Sequence, residues 1–405
     1  MPGFRFIHAA DLHLDSPFRG IGETSQSLRD ELQSATFRAF DRVVGHAIDS
    51  GADFLVLAGD LYDSRDRSLR ALVEFRRQME RLADRNVPVF VVHGNHDPLN
   101  GWGGQFRMPE NVIVFDGEAR RESVVRNGRE IARVTGVSYT EEQVTENLAR
   151  SFPSAGDGVY SIGLLHANIG GQSGHALYAP ASVTDLVEAG FDYWALGHVH
   201  TRAVLSNSPA IVYPGNPQGR HAREAGPRGC YEVVVSDTGR THLKFIETDV
   251  VRWEQLDYPI GGCQRIEDLI EGLVESVRSI TSRVDIPLIL RCRLTGHGPL
   301  HADLQRDGLA EDLAHQLGQY AHVESLRIAT SAQIDLESLA RTEPIVADFL
   351  GLVDRARLDP EYRRSLAESL TPLFRRRNLA APEPERLEQW IERAGKLGLD
   401  LLLEP

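Results

Sequence analysis

An apolar run, Phe4-Arg5-Phe6-Ile7-His8-Ala9-Ala10, predicts a first strand that passes directly into Asp11-Leu12-His13-Leu14-Asp15. Side chains alternate along a strand, so Asp11 and His13 are expected on one face, with Leu12 and Leu14 turned to the core. Between Ser27 and Ser50 the positions Leu28, Leu32, Ala35, Ala39, Val43 and Ala47 recur at three and four, which predicts an amphipathic helix stopped by Gly51. Residues 53–58 form a nearly continuous apolar run, as a strand covered on both faces requires, and it ends in Gly59-Asp60-Leu61-Tyr62-Asp63. A helix over about 69–86 leads through Pro88 to a strand at 87–92, which is closed by Gly94-Asn95-His96-Asp97. This alternation of strand and helix predicts right-handed crossovers and a largely parallel sheet. The three strands then end at one edge in acidic, amide or imidazole groups, where open α/β sheets place their ligands.

Past residue 102 the predicted strands shorten, to 112–115, 130–137 and 159–165, with Pro, Gly and Ser between them. That spacing predicts a second sheet packed on the first. His166 follows the last of these strands, and 191–196 enters Gly197-His198-Val199-His200, a second alternating pair of imidazoles. Tyr213-Pro214-Gly215-Asn216-Pro217 predicts a turn that brings backbone close to the site. Strands at 230–235 and 242–248 complete a first domain, 1–250, with a boundary expected near 249–259. A helix at 266–280, a strand at 286–294, a helix at 303–317 and a strand at 323–329 predict a small α/β domain, 251–340. The remainder, 341–405, reads as helical, interrupted by Pro360, Pro372 and Ala381-Pro382-Glu383-Pro384.

Composition narrows the partners. The 405-residue chain carries a formal charge of -14, which argues against holding nucleic acid by a bulk positive field. Phosphate binding has to be local, and divalent ions in a cleft would supply it. Lys244 and Lys396 are the only lysines, a bias that reads as genomic composition. Cys230, Cys263 and Cys292 lie far apart and are odd in number, so neither a disulfide framework nor a zinc ribbon is expected. No apolar run approaches the ~20 residues of a membrane span, and the N-terminus enters a strand without a signal-peptide core, so a cytoplasmic protein is expected.

The chain thus carries D-x-H, G-D-x-x-D, G-N-H-D, a lone His and G-H-x-H, in this order and each at a strand end. Over roughly residues 4–248 this resembles the calcineurin-like metallophosphoesterases. The resemblance implies an α/β fold, a β-sandwich flanked by helices in α-β-β-α layers, followed by a small α/β cap domain and a helical C-terminal region. It also implies two divalent ions, one held by Asp11, His13, Asp60 and His200 and the other by Asp60, Asn95, His166 and His198, with Asp60 bridging. Such a mixed oxygen and nitrogen set suits manganese, or magnesium or iron, better than a closed structural zinc site. His96 resembles the family's non-ligand histidine, which contacts the scissile phosphate or protonates the leaving group, and Asp97 its supporting carboxylate; the roles of Asp63 and Asp15 stay open. His8, His46, His93, His297, His301 and His322 are not expected to bind metal.

Within the superfamily the segment from His8 to Gly20, the Tyr213-Pro217 turn and the α/β region that follows are similar to the SbcD and YhaO type of DNA repair exonucleases. Protein Ser/Thr phosphatases continue the second motif as G-D-x-V-D-R-G and the third as G-N-H-E, whereas Ser64 and Arg65 follow Asp63 here. Archaeal and eukaryotic double-strand-break nucleases tend to carry His at the position of Asp63. The resemblance implies a DNA phosphodiesterase in which hydroxide attacks phosphorus in line and the 3′ oxygen leaves. The alternatives are a metallophosphoesterase of small phosphodiesters, or chiefly a binding subunit of an ATPase complex. Arg65, Arg67, Arg202, Arg220 and His221 are the candidate DNA contacts by proximity to the motifs. The implied partners are DNA and an SMC-like ATPase of the SbcC type, docked on the C-terminal helices; a homodimer is compatible, and no membrane partner is expected.

Overall fold

The computed structural model describes residues 2–21, 26–63, 68–101, 107–156, 158–171, 178–332, 341, 343–376 and 384–403. Strand β1 (Phe4–Ala9), helix α1 (Gln26–Asp49), β2 (Phe54–Ala58), α2 (Leu69–Ala83) and β3 (Val89–Val92) follow the predicted alternation. β1 pairs parallel with β2, and β2 with β3, so their C-terminal ends share one edge. β4 (Val112–Val114) adds to β3 in parallel, while β11 (Gly229–Val235) and β12 (Thr241–Glu247) extend the other side antiparallel, giving the order β12-β11-β1-β2-β3-β4. The 112–115 strand, expected in the second sheet, therefore belongs to the first.

The second sheet is built from β5 (Arg120–Arg126), β6 (Arg129–Val137), β7 (Tyr160–His166), β8 (Tyr193–Gly197), β9 (Ala203–Asn207) and β10 (Ala210–Tyr213), in the order β5-β6-β7-β8-β10-β9. β5, β9 and β10 have no counterpart in the sequence reading: β5 is largely charged, β9 is partly exposed, and β10 is apolar but only four residues long. Between the sheets lies one core: Phe4, Phe6, Phe54 and Phe90 from the first meet Tyr160, Ile162, Tyr193 and Val212 from the second. Phe6 stacks on Phe54 at 4.9 Å and meets the Tyr193 ring edge-on at 5.2 Å. Truncating Phe6 to Ala would open a cavity worth about 3–5 kcal/mol. The alternate residues Ile7, Leu55, Leu57, Val89 and Val91 face outward onto Phe40, Val43, Phe75 and Met79 of α1 and α2. The outer face of the second sheet is covered in the same way, Trp194 and Leu196 meeting Leu186 of α3 (Val183–Glu188). Helix, sheet, sheet, helix is the resulting layering.

Strands β13 (Arg252–Pro259), β14 (Leu288–Gly298) and β15 (His322–Ala332) form a third sheet, with α4 (Ile266–Thr281) after β13. The boundary expected near 249–259 is thus itself a strand. The helix predicted over 303–317 is broken into His301–Leu304 and Leu309–Leu317, where Gly308 takes φ 85°. The chain divides into two compact units, the first holding residues 1–258, 269–294 and 307–328, the second 259–268, 295–306 and 329–405. In the second unit the helices Pro344–Leu358, Pro360–Arg376 and Pro384–Leu403 each begin with a proline, whose missing N–H costs nothing at a helix start. Pro372, expected to interrupt, lies inside the middle helix; residues 381–383 of the expected linker lie outside the described residues. Among the described residues no helix is long and apolar enough to cross a membrane.

Candidate metal centre

Where the strands stop, the backbone turns sharply. Asp11, His13 and Asp60 take φ values of 53°, 42° and 52°, and His198 takes 99°. Non-glycine residues in this left-handed region are strained, and such strain gathers at functional sites. Asp11 and His13 do come together, but by these turns and not by alternation along a strand, since β1 ends at Ala9. The glycines of the motifs make room for the crowding. A Cβ on Gly94 would lie 2.3 Å from Asp60 Oδ1, and one on Gly197 would collide with the Ala58 carbonyl.

The imidazoles are oriented from behind. His166 Nδ1 donates to the Ala58 carbonyl at 2.8 Å, His200 Nδ1 is 2.6 Å from Glu224 Oε1, and His13 Nδ1 is 3.2 Å from Asp63 Oδ1. Each bond fixes a ring with Nε2 turned inward, the tautomer and pose that a metal-binding imidazole takes. His13 Nε2 and His200 Nε2 face each other at 3.2 Å, and His166 Nε2 is 3.1 Å from Asn95 Oδ1. One carboxylate oxygen, Asp60 Oδ2, lies 3.4 Å from His166 Nε2 and 3.8 Å from His13 Nε2. Two groups follow, Asp11-His13-His200 and Asp11-Asp60-His166, each with its ligand atoms within 4.8 Å of one another; a third, His13-Asp63-His96, adjoins them. His198 stands outside these groups: its ring meets that of His166 at 5.2 Å, and its backbone N–H donates to Asp11 Oδ1 at 3.0 Å.

Charge is distributed accordingly. Burial pushes the His13 ring down to about 4, with the nearby Arg220 adding to the effect, so the ring is neutral at pH 7. Burial also opposes the charged form of His166, but Asp60 and Asp11 outweigh it and raise that ring to about 9. For Asp60 burial is likewise overcome, by His166, His96 and His13, and the carboxyl titrates well below its ordinary range. An anionic oxygen among inward-turned nitrogens is a donor set that fits divalent cations, the residues present meeting the nitrogen and oxygen chemistry such ions require.

His96 is the exposed member, its side chain about half accessible, with Nδ1 2.6 Å from Asp63 Oδ1. Burial works against its charge, but the bond to Asp63 and the field of Asp60 win, and its pKa is raised. Asp63, left open by the sequence, thus serves His13 and His96 with one oxygen. Asp97 does not line the opening. It is buried behind the site and accepts from the backbone N–H of Asp60, Leu61 and Gly94 at 3.1, 2.9 and 2.7 Å, the placement of a carboxylate that positions the site from behind. Asp15 accepts from Ser68, the N-cap of α2, and pairs with Arg70, which makes it structural.

Two residues escape sequence reasoning altogether. Glu224, buried in a 3₁₀ turn, holds His200 and accepts from Arg220 N at 2.7 Å. Arg228 is buried beneath the turn 213–217 and donates to the carbonyls of His200, Glu224 and Ala225 and to Asn216 Oδ1. Of the candidate DNA contacts, Arg65 and Arg67 lie outside the described residues. Arg202 is laid over the Phe245 ring at 3.9 Å, while Arg220 and His221 line a cleft together with His96 and His200. His8, His46 and His93 bind Tyr193, Glu232 and Asp97 respectively, outside the metal-suited groups.

A two-sheet sandwich with carboxylates and imidazoles at its strand ends defines a class, and residues 4–202 match the calcineurin-like phosphoesterase family model. Residues 253–331 match the middle domain of the metallophosphoesterase YhaO. The metallophosphoesterase YhaO of Bacillus subtilis is 35% identical over 375 residues, covering 89% of this chain and 91% of that protein. The DNA double-strand break repair protein Mre11 of Archaeoglobus fulgidus is 26% identical over 344 residues, 80% of this chain and 74% of that one. A solved dimetal phosphatase from Danio rerio aligns with a TM-score of 0.37 at 12% identity, over 62% of this chain and 100% of that one. The chain belongs to the calcineurin-like metallophosphoesterases, and within them to the YhaO type. It is accordingly a phosphoester hydrolase with a centre suited to a pair of divalent ions.

Proposed function

We propose that this hydrolase is a DNA phosphodiesterase that works with two divalent ions, manganese first among them, and acts in DNA repair in the cytoplasm. The observation that carries the reading is that imidazoles from three strand ends turn Nε2 toward two shared carboxylates, Asp11 and Asp60. Asp11, His13, Asp60 and His200 would hold one ion, and Asp60, Asn95, His166 and His198 the other. When bound, such a pair supplies Lewis acidity and a hydroxide at neutral pH. The chain's own groups do the rest. Asp63 holds His96 Nδ1–H and raises the ring's pKa, which favours a proton on the exposed ring's Nε2 for the leaving 3′ oxygen. Asp97 and Ala58 O keep the Asp60 backbone and the His166 ring in place, so that little reorganisation accompanies the reaction. Names among the relatives support DNA as substrate, since several are double-strand break repair proteins.

Incubating the pure protein and manganese with labelled single- and double-stranded DNA, beside bis-p-nitrophenyl phosphate, tests this. Hydrolysis of DNA that a chelator abolishes is the expected result. Turnover of the small diester alone would favour the small-diester alternative, and turnover of neither would favour a binding subunit. The SMC-like ATPase belongs to the same proposal. Within the second unit Gly398 packs against Phe349, yet Ile345, Leu352, Leu397 and Leu401 stay exposed on these helices, an apolar surface of the kind that docks in a partner's groove. Removing residues 341–405 should end co-purification with the ATPase and spare metal-dependent cleavage of single-stranded DNA.

A further inference from the structure

In a chain of net charge -14, four arginines line one cleft of about 410 Å³. Asp63, His96 and His200 line it together with Arg19, Arg220, Arg223 and Arg291. Their charge is unevenly spent. Arg291 is bound through two nitrogens to Glu324, at 2.6 and 2.8 Å, and Arg220 Nη1 stands 3.9 Å from Asp63 Oδ2. Among the described residues neither Arg19 nor Arg223 has a carboxylate within 4.0 Å, and both are exposed. One buried donor there also lacks a partner, Arg220 Nε. A buried polar atom left unpaired is costly unless a ligand completes it.

The walls are held in place without a ligand. Arg19 N donates to the Arg220 carbonyl at 3.0 Å, and Arg220 N to Glu224 Oε2 at 2.7 Å. Beneath them Phe18 and Ile21 pack on Trp253, Ile289 and Ala222. Asp63 is the one carboxylate in the lining, and it is already engaged by His13 and His96; the remaining charged groups are planar, fork-shaped donors, which suit phosphate oxygens. Because Glu224 grips both His200 and the Arg220 backbone, the cleft is tied directly to the metal centre.

We propose that this cleft is a second phosphate subsite, which takes a phosphate adjoining the one under attack and so makes the enzyme prefer substrates with two neighbouring phosphates over an isolated diester. The inference rests on the phosphodiesterase reading and deepens it. Binding is tested first, on full-length protein treated with chelator, by calorimetry with thymidine 3′,5′-bisphosphate. Arg220→Gln and Arg223→Gln should each weaken it tenfold or more; wild-type affinity in both variants overturns the subsite. Arg223, exposed and outside the metal-suited groups, guards against a variant that merely disturbs the centre. Kinetics with manganese then compare the thymidine dinucleotide bare, with a 5′-terminal phosphate, with a 3′-terminal phosphate, and within a trinucleotide whose second phosphate is internal. The wild type should favour at least one phosphate-flanked form tenfold or more in kcat/KM, and Arg223→Gln should collapse that ratio toward one. A terminal form favoured over the trinucleotide identifies an end-reading subsite, the reverse a path for internal phosphates. An equal ratio in wild type and variant overturns the proposal. Arginine-dependent binding of the bisphosphate, with no diester hydrolysed under any divalent metal, supports the subsite while sinking the hydrolase reading.

Discussion

Two stretches meet at this centre and support it in different ways. The strand ends at 11–13, 59–63, 94–97 and 197–200 present side chains, each released from an apolar run into a left-handed or glycine-freed turn. Residues 216–228 offer no Nε2 or carboxylate to the inner groups, yet Glu224 and Arg228 hold His200 by its ring and its carbonyl. The first stretch supplies chemistry and the second supplies pose. Asp60 and Glu224 show the contrast between two buried carboxylates: one lies among converging nitrogens, the other faces the back of a single ring.

Breaking the strand-end side should have the largest effect. Asp60→Asn removes the charge of the carboxylate whose Oδ2 lies within 4 Å of both His13 and His166, so two-metal occupancy should fall and hydrolysis should drop to background. Elemental analysis checks it, and full occupancy in the variant would refute the bridging role. His96→Ala comes next and separates chemistry from binding. Turnover should fall by about 10²–10⁴-fold, the usual worth of acid-base assistance, with metal content retained because Asp60 and His166 are untouched. A variant that lost its metals as well would show that His96 acts on the ions.

On the supporting side, Glu224→Gln keeps the size of the side chain and removes its charge. Metal affinity should weaken by about 10–100-fold, the usual cost of losing the group behind a ligand histidine. Competition titration with a chelating dye measures this directly. Wild-type affinity would mean that the stretch 216–228 is packing alone.

The contrast also explains what the sequence could disclose. Asp11, His13, Asp60, Asn95 and His166 are legible because each follows a run whose burial is obvious from composition, and a polar group in that place has few other uses. Glu224 and Arg228 work through one ring nitrogen and several carbonyls, partners that leave no mark in a local pattern. The same limit applies to the fold. β4 is three residues long and looks like its neighbours in sequence, so only pairing reveals its sheet. β13 alternates charged and apolar residues on an exposed edge and ends in proline, which reads as a linker until β14 is beside it. Pro372 stays inside its helix, a placement that local propensity opposes.

The smallest effect belongs to a histidine that belongs to neither stretch. His8 lies on β1 just before the ligand turn, fully buried, its Nδ1 2.9 Å from Tyr193 Oη and its Nε2 3.2 Å from the Leu196 carbonyl. It ties the two sheets together as a neutral ring. Burial lowers its pKa to about 3 from 6.5, against a weaker opposing effect of the Leu196 carbonyl. Between those values the unfolded chain binds a proton that the folded chain refuses. The stability that His8 contributes is therefore complete above about pH 6.5 and is lost progressively as the pH falls toward 3. Across that window the slope is at most about 1.4 kcal/mol per pH unit. His8→Gln can keep a polar tie to Tyr193 without a titrating group, so its unfolding free energy should fall less steeply than that of the wild type between pH 7 and pH 4. Urea unfolding at several pH values, read as the difference between the two proteins so that shared carboxylates cancel, makes the comparison. Parallel curves would mean that the ring is protonated in the fold, and the neutral tie between the sheets would have to be abandoned.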